Sequence, residues 1–267
     1  RTLDFPLYPF IRSYYDKYDI FMQNSDNQKE SSYSFESNGV GTGLGLLLKN
    51  YWTMELELRF DDIKLESYFN DDQLTFPWEK NIYYNYSLYL DTIDDVLLPR
   101  KGLNISVHHE RNHSKSMENN SEEYSWYSIF LEKYSTWNDH TISFASYYHN
   151  SSEFTPIHKK TVLGKNHLLT GFKENQINGF NTSIFNFQYR YEYKKDIFLS
   201  LMTTNIFYNQ YEKQNSATYE NLWGYGFGVT LTSPVGPLEF VWSSGPKTVY
   251  KPSERQFLFS FNAGYKF

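Results

Sequence analysis

Three histidines are the first residues in this sequence whose types and spacing could bind a metal. His108, His109 and His113 lie close together, and imidazole nitrogens are common zinc ligands. Successive side chains of a β-strand point to opposite faces, so His108 and His109 cannot jointly hold one ion. We therefore predict a solvated strand end here rather than a metal site, and we expect no cofactor.

His140 and Ser143 are the next candidates, because a hydrolase pairs a serine nucleophile with a histidine base. Both fall in one predicted strand, and their spacing puts them on opposite faces. The chain has no cysteine, which excludes thiolate chemistry, and it has no G-x-S-x-G nucleophile motif. We expect no catalytic residues and predict that the protein is not an enzyme.

Charged residues alternate with apolar ones along the chain. Glu55, Glu57, Arg59 and Asp61 alternate with the apolar run Met54 to Phe60, and Arg190, Glu192 and Glu239 lie in similar patterns. A packed soluble core would not hold such charges without partners. They could line an ion path, or they could form a hydrogen-bonded network inside a narrow barrel, which is the interpretation we favour.

The elements that position these residues are predicted to be strands of a transmembrane barrel. The chain has 25 Tyr, 22 Phe and 6 Trp among 267 residues, and it lacks an apolar run of the roughly 18 residues that a spanning helix needs. Alternating strands with aromatic girdles are typical of outer-membrane barrels. We predict an all-β fold, a single domain over 1–267, with twelve antiparallel strands at 6–23, 29–48, 53–68, 80–91, 101–112, 122–134, 137–149, 179–194, 196–212, 221–233, 236–245 and 255–267.

The predicted connections alternate between short turns and long polar loops, as in bacterial outer-membrane barrels. One long connection, 91–102, falls among the short ones.

The net charge of −6 argues against a nucleic-acid partner. No signal segment starts at Arg1, so a targeting segment, if the protein has one, has been removed. The last strand ends in alternating aromatics of the kind that an outer-membrane assembly machine recognises: Phe257, Phe259, Phe261, Tyr265 and Phe267.

Three stretches together resemble one family of barrels. The stretch 224–238 is similar to a glycine-rich penultimate strand that leads into a P-x-G-P turn, and Leu169, Thr170, Gly171 and Phe172 are similar to the V/L-R-G-F/Y of an inward-folded loop. The third stretch is similar to a D-T-x-D-D-P-x-x-P-T-x-G turn, with Asp91, Asp94, Asp95, Pro99 and Gly102.

The family is the BamA/TamA/FhaC superfamily of outer-membrane assembly and secretion barrels, which also supplies the barrel of patatin-like phospholipases. The resemblance implies that loop 151–178 folds from the extracellular side into the lumen, beside glycine stripes at 39–45 and 224–228 that make room. In relatives the loop arginine pairs with an acidic residue on a facing strand. That acid belongs to an F-x-D-x-G pattern, in which by register the acid falls at Met202 and the glycine at Thr204. The arginine position is Thr170, so both partners of the ion pair are replaced. The lost arginine points towards the barrels of patatin-like phospholipases.

Two further departures are the count of twelve strands, where the superfamily usually has sixteen, and the absence of a POTRA domain from this sequence. The resemblance implies a non-catalytic role in biogenesis of the bacterial outer membrane, through protein insertion or translocation or through lipid handling at a seam between the first and last strands. The alternatives are a passive pore and a membrane anchor for a separate enzyme domain. Expected partners are membrane lipids or lipopolysaccharide, unfolded outer-membrane proteins, a separate POTRA-containing protein and a second copy of the chain.

Overall fold

The chain folds into antiparallel strands that form one continuous sheet. The computed structural model describes residues 6–23, 29–49, 51–69, 72–75, 79–113, 123–152, 155–156, 159, 161–163, 169–173, 176–210, 220–234, 236–248 and 252–264. The strands are β1 (Leu7–Gln23), β2 (Lys29–Leu48), β3 (Trp52–Phe69), β4 (Asp72–Thr75), β5 (Glu79–Asp91), β6 (Gly102–Asn112), β7 (Ser125–Trp137), β8 (His140–Ser151), β9 (Thr161–Leu163), β10 (Ile177–Lys194), β11 (Ile197–Gln210), β12 (Glu220–Ser233), β13 (Gly236–Pro246) and β14 (Arg255–Ala263).

Twelve of these strands follow one another across the sheet in chain order. The path runs from β1 to β14, and the short strands β4 and β9 lie off it, paired with β3 and β10. Among the described residues no pairing joins β1 to β14, and Tyr265 and Phe267 lie outside them. The prediction of twelve antiparallel strands is confirmed, while the closure of the sheet is not decided by these pairings.

The observed strand bounds differ from the predicted ones by a few residues. β14 ends at Ala263 instead of 267, and residues 265–267 lie outside the described residues. The next largest differences lie around the turn between β7 and β8, where the strands continue to Trp137 and leave only Asn138 and Asp139 in the turn. Asn138 has a φ of 52°, which a two-residue turn of this kind requires and which asparagine tolerates. No helix long and apolar enough to cross a membrane occurs among the described residues.

The two faces of the sheet differ as the alternation predicts. The face that carries Glu55, Asp61 and Arg190, here called the polar face, buries these charged side chains to 9% exposure or less. The opposite face, here called the aromatic face, exposes Leu56 and Phe187 at 55% and 42%. An apolar exterior around a polar interior is the pattern of a barrel in lipid.

The favoured hydrogen-bonded network is present on the polar face of the first strands. The Arg12 guanidinium donates to both carboxylate oxygens of Glu55, over 2.8 and 2.6 Å, and Arg59 lies 2.7 Å from Asp61. These bonds pass over the glycines of β2, where a side chain at Gly41 would overlap the Glu57 carboxylate. Among the described residues, the glycine stripe at 39–45 therefore makes room for side chains of β1 and β3.

Candidate functional site: the docked loop segment and the long turn

The segment Leu169 to Phe172, here called the loop tip, lies directly on the polar face of the last strands. A Cβ atom at Gly224 would stand 1.9 Å from the carbonyl oxygen of Thr170, and one at Gly245 would stand 1.9 Å from the carbonyl oxygen of Gly171. Gly171 has a φ of 87°, a conformation that glycine adopts without strain. Backbone therefore packs on backbone here, and only glycines on the wall permit the contact.

Two apolar side chains of the loop tip fill the space beside these glycines. Leu169 and Phe172 are both less than 10% exposed. They form one cluster with the wall side chains Ile184, Ile206, Tyr208 and Leu222. Burial of each large apolar side chain contributes roughly 1.5–3 kcal/mol relative to exposure, so the cluster holds the tip against β10, β11 and β12.

Hydrogen bonding connects the loop tip to the wall position that the resemblance identified. The backbone N–H of Thr170 donates to Oγ1 of Thr204 over 3.1 Å, and the Asn186 amide donates to the same oxygen over 3.0 Å. The Thr170 methyl group lies over Gly226, which pairs in register with Met202. The structure thus brings Thr170 to Thr204, and it places the Thr170 methyl group on the strand next to Met202. The groups that make these contacts are neutral.

Glutamines continue the docking beyond the loop tip. The Gln176 amide donates to the carbonyl oxygen of Pro246 over 2.8 Å, and Gln256 donates to that same oxygen over 2.9 Å. Gln256 also lies 3.2 Å from Oε1 of Gln176. The loop is therefore joined to β13 and β14, the last two strands of the sheet.

A second anchor, which the sequence reasoning missed, joins the start of the loop to the middle of the sheet. Nζ of Lys159 lies 2.9 Å from Oε2 of Glu110 on β6, with side-chain exposures of 16% and 6%. Nε1 of Trp126 donates to the other carboxylate oxygen over 2.9 Å. The only sequence signal was the polar-face register of Glu110, and nothing predicted its partner.

The two anchors place one loop across the polar face. Lys159 contacts β6, and the loop tip contacts strands from β10 to β13. The described contacts of this arrangement are ion pairing, hydrogen bonding and packing. Contacts of this kind can hold a loop segment in place or release it.

The long turn between β5 and β6 is ordered by its aspartates. The carboxylate oxygen Oδ1 of Asp94 accepts the backbone N–H groups of Arg100 and Lys101 over 2.9 and 3.0 Å. Asp91 and Asp95 accept backbone N–H groups two and three residues ahead of them. Gly102 has a φ of 122°, and a Cβ atom there would stand 2.4 Å from the Thr92 carbonyl oxygen.

This turn also reaches across to distant strands. A guanidinium nitrogen of Arg190 donates to the carbonyl oxygen of Pro99, and Arg190 is itself buried. Arg100 donates to Glu192 over 3.2 Å and to the carbonyl oxygen of Asn138 over 3.1 Å. The motif residues therefore form one folded unit that lies against the short-turn ends of β7 and β10.

The order of this turn should depend on pH through Asp94. Its two backbone hydrogen bonds hold the pKa of Asp94 below its ordinary value. A lowered pKa stabilises the folded turn fully above the unfolded pKa of about 3.9, and this stability is lost as the pH falls through the folded pKa. We expect the protection of the Arg100 and Lys101 amides against hydrogen exchange to fall as the pH drops below about 3.9 and through the folded pKa of Asp94. In Asp94→Asn the pH dependence should vanish, and its persistence there would contradict this role.

The other sequence candidates are kept apart by the strand geometry. His108 lies 3.2 Å from Ser87 Oγ, while the ring of His109 contacts Tyr86 across the opposite face. Ser143 is buried on the polar face, whereas the ring of His140 stacks among aromatic residues on the other face. At the last strand the exposed fractions of Phe257, Phe259 and Phe261 are 84%, 60% and 53%.

Comparison with known proteins decides the family. Residues 10–267 match the Omp85 superfamily domain, which is nearly the whole chain. The chain belongs to the Omp85 superfamily. A comparison with curated proteins finds no match.

The fold of this Omp85 domain is similar to that of a solved relative. The crystal structure of BamA from Haemophilus ducreyi lacking POTRA domains 1-3 superposes with a TM-score of 0.72 at 13% sequence identity. The match covers 96% of this chain and 59% of that chain. The BamA-like barrel fold and the superfamily that the motifs indicated are thereby confirmed for the Omp85 domain.

Proposed function

We propose that this Omp85 domain is an outer-membrane barrel of Gram-negative bacteria that acts in outer-membrane biogenesis. It inserts or translocates proteins, or handles lipid, and it has no catalytic activity of its own. In this proposal the sheet closes, the polar face lines the lumen, and the loop that carries Lys159 and the loop tip is folded inside. The observation that carries the proposal is the seating of the loop tip on the glycines of β12 and β13.

The lengths and composition of the two terminal strands, β1 and β14, favour a seam that can open. β1 has 17 residues and β14 has 9, so the described part of β14 cannot cover the whole edge of β1. β1 also includes Pro9, which lacks a backbone donor. A short and incomplete ladder costs less to open than the other pairings of the sheet. An exposed strand edge is able to pair with an extended segment of another chain.

A disulfide across the seam tests this proposal, and the absence of native cysteine makes the probe clean. A panel of pairs around Ile11→Cys and Phe259→Cys would be oxidised in cells, since both positions are exposed on the aromatic face. We expect the locked protein to lose its function and to regain it on reduction. A matched control is Val229→Cys with Phe240→Cys, which are paired in register within the sheet.

Two outcomes would contradict the seam. If a pair across β1 and β14 oxidises fully and the cells are unaffected, opening is not needed. If no pair in the panel oxidises, the strands are not adjacent and the sheet does not close.

The proposal extends to the nearest relatives of the barrel, to its partners and to the state of its lumen. Thr170, at the family's arginine position, supports nearness to the barrels of patatin-like phospholipases. A separate POTRA-containing protein, lipopolysaccharide, unfolded outer-membrane proteins and a second copy of the chain remain the predicted partners. The network of Arg12, Glu55, Arg59 and Asp61 supports a braced lumen wall over an open ion path.

A further inference from the structure

His140 lies in an aromatic stack on the face that the proposal turns towards lipid. It begins β8 directly after the turn at 138–139. Its ring stacks on Trp137 with centroids 5.8 Å apart and planes 20° apart, and on Tyr191 at 5.0 Å and 22°. A polar ring held between aromatic rings at a strand end is positioned at the boundary between water and lipid.

One nitrogen of this histidine is already bonded. Nδ1 of His140 lies 2.6 Å from the hydroxyl oxygen of Tyr189, whose ring is also stacked on the imidazole. When the tyrosine hydroxyl donates to Nδ1, the neutral imidazole carries its proton on Nε2. The Nε2–H group is then a hydrogen-bond donor whose direction is fixed by the bond at Nδ1 and by the stacked rings.

Charged residues of both signs occur on the strands and turns that carry the stack. Lys133 is exposed on the same face, and Nζ of Lys194 lies 5.4 Å from the centroid of the Tyr193 ring. Asp139 and Asp196 are exposed in the two adjacent turns. A phosphate can bond the imidazole N–H and pair with a lysine, while an ammonium group can pair with an aspartate or lie over an aromatic ring.

We propose that this aromatic stack binds the headgroup of a glycerophospholipid in the leaflet at the short-turn end of the barrel. The phosphate accepts the Nε2–H hydrogen bond of His140, and Trp137 and Tyr191 enclose the headgroup. The site rests on the proposed function, since it requires the aromatic face to meet a bilayer. It lies on β7, β8 and β10, near the middle of the strand order and far from the seam. A lipid bound here anchors the strands of the barrel that do not take part in opening the seam.

The test measures phospholipid retained by the whole protein. The chain would be reconstituted in nanodiscs of phosphatidylethanolamine and phosphatidylglycerol, released into detergent, and weighed with bound lipid by native mass spectrometry. We expect retention in the parent protein and a fall of about tenfold or more in His140→Phe, because a hydrogen bond to a charged group is lost. Tyr189→Phe keeps the ring but not the hydroxyl, and it should weaken retention.

The matched control is His109→Phe, since His109 is also half-buried on the aromatic face beside a tyrosine. It should retain lipid like the parent. Equal retention by His140→Phe and the parent would overturn the site, as would an equal loss in His109→Phe. Failure of the parent chain to insert into nanodiscs would instead contradict the proposed function.

Discussion

Replacing Gly224 by alanine should expel the loop tip from its seat. The added Cβ atom would stand 1.9 Å from the Thr170 carbonyl oxygen and 2.9 Å from the Phe172 ring. Overpacking of this kind costs about 1–3 kcal/mol. A single Thr170→Cys probe, 6% exposed as threonine in a chain without cysteine, would report the release. We expect its labelling by a maleimide to speed up about ten- to hundredfold in Gly224→Ala.

Gly228→Ala is the matched control on the same strand and the same face. Its Cβ atom would lie 3.2 Å from the flexible end of Met202 and 3.6 Å or more from other atoms. We expect labelling of the probe in this variant to stay at the parent rate. If Gly224→Ala also labels at the parent rate, the loop tip is not seated on this wall.

Replacing Lys159 by methionine should destabilise the barrel strongly. The change leaves the carboxylate of Glu110 buried without its cation, and breaking a buried pair in this way costs about 3–5 kcal/mol. The bond from Trp126 cannot neutralise the remaining charge. The free energy of unfolding would be measured by urea titration in lipid vesicles.

The double variant Lys159→Met with Glu110→Gln should recover much of that loss, because no buried charge remains. Arg111→Met is the control, since its pair with Glu123 is 59% and 40% exposed, and solvent-exposed ion pairs contribute little to stability. A similar small loss in Lys159→Met would show that the Lys159 pair is not an anchor.

The strands could be predicted because each places charges and aromatic residues on alternating faces. Glu55 and Asp61 are buried while Leu56 and Phe60 are exposed, so a period of two was visible without any structure. The short strand β9 was missed because its three residues carry too little pattern. Its pairing with β10 depends on where the loop lies.

The candidate site could be predicted only in part. The loop tip was found because LTGF resembles a family motif, and its contact with Thr204 follows from strand register. The pair of Lys159 and Glu110 joins residues 49 positions apart, and one of them lies in an irregular loop. The approach to Gly245 depends on the curvature of the sheet. The periodicity of a single strand therefore predicts neither the Lys159–Glu110 pair nor the contact at Gly245.

The most direct test of the central claim is quantitative proteomics of the outer membrane after depletion of this protein, with lipid composition measured on the same samples. The account predicts that other barrel proteins fall together, or that lipid composition or asymmetry changes, and that Gly228→Ala restores the parent pattern while Gly224→Ala does not. A fall of barrel proteins alone would indicate assembly or secretion, and a change in lipid alone would indicate lipid handling. An unchanged proteome with unchanged lipid would contradict a role in outer-membrane biogenesis.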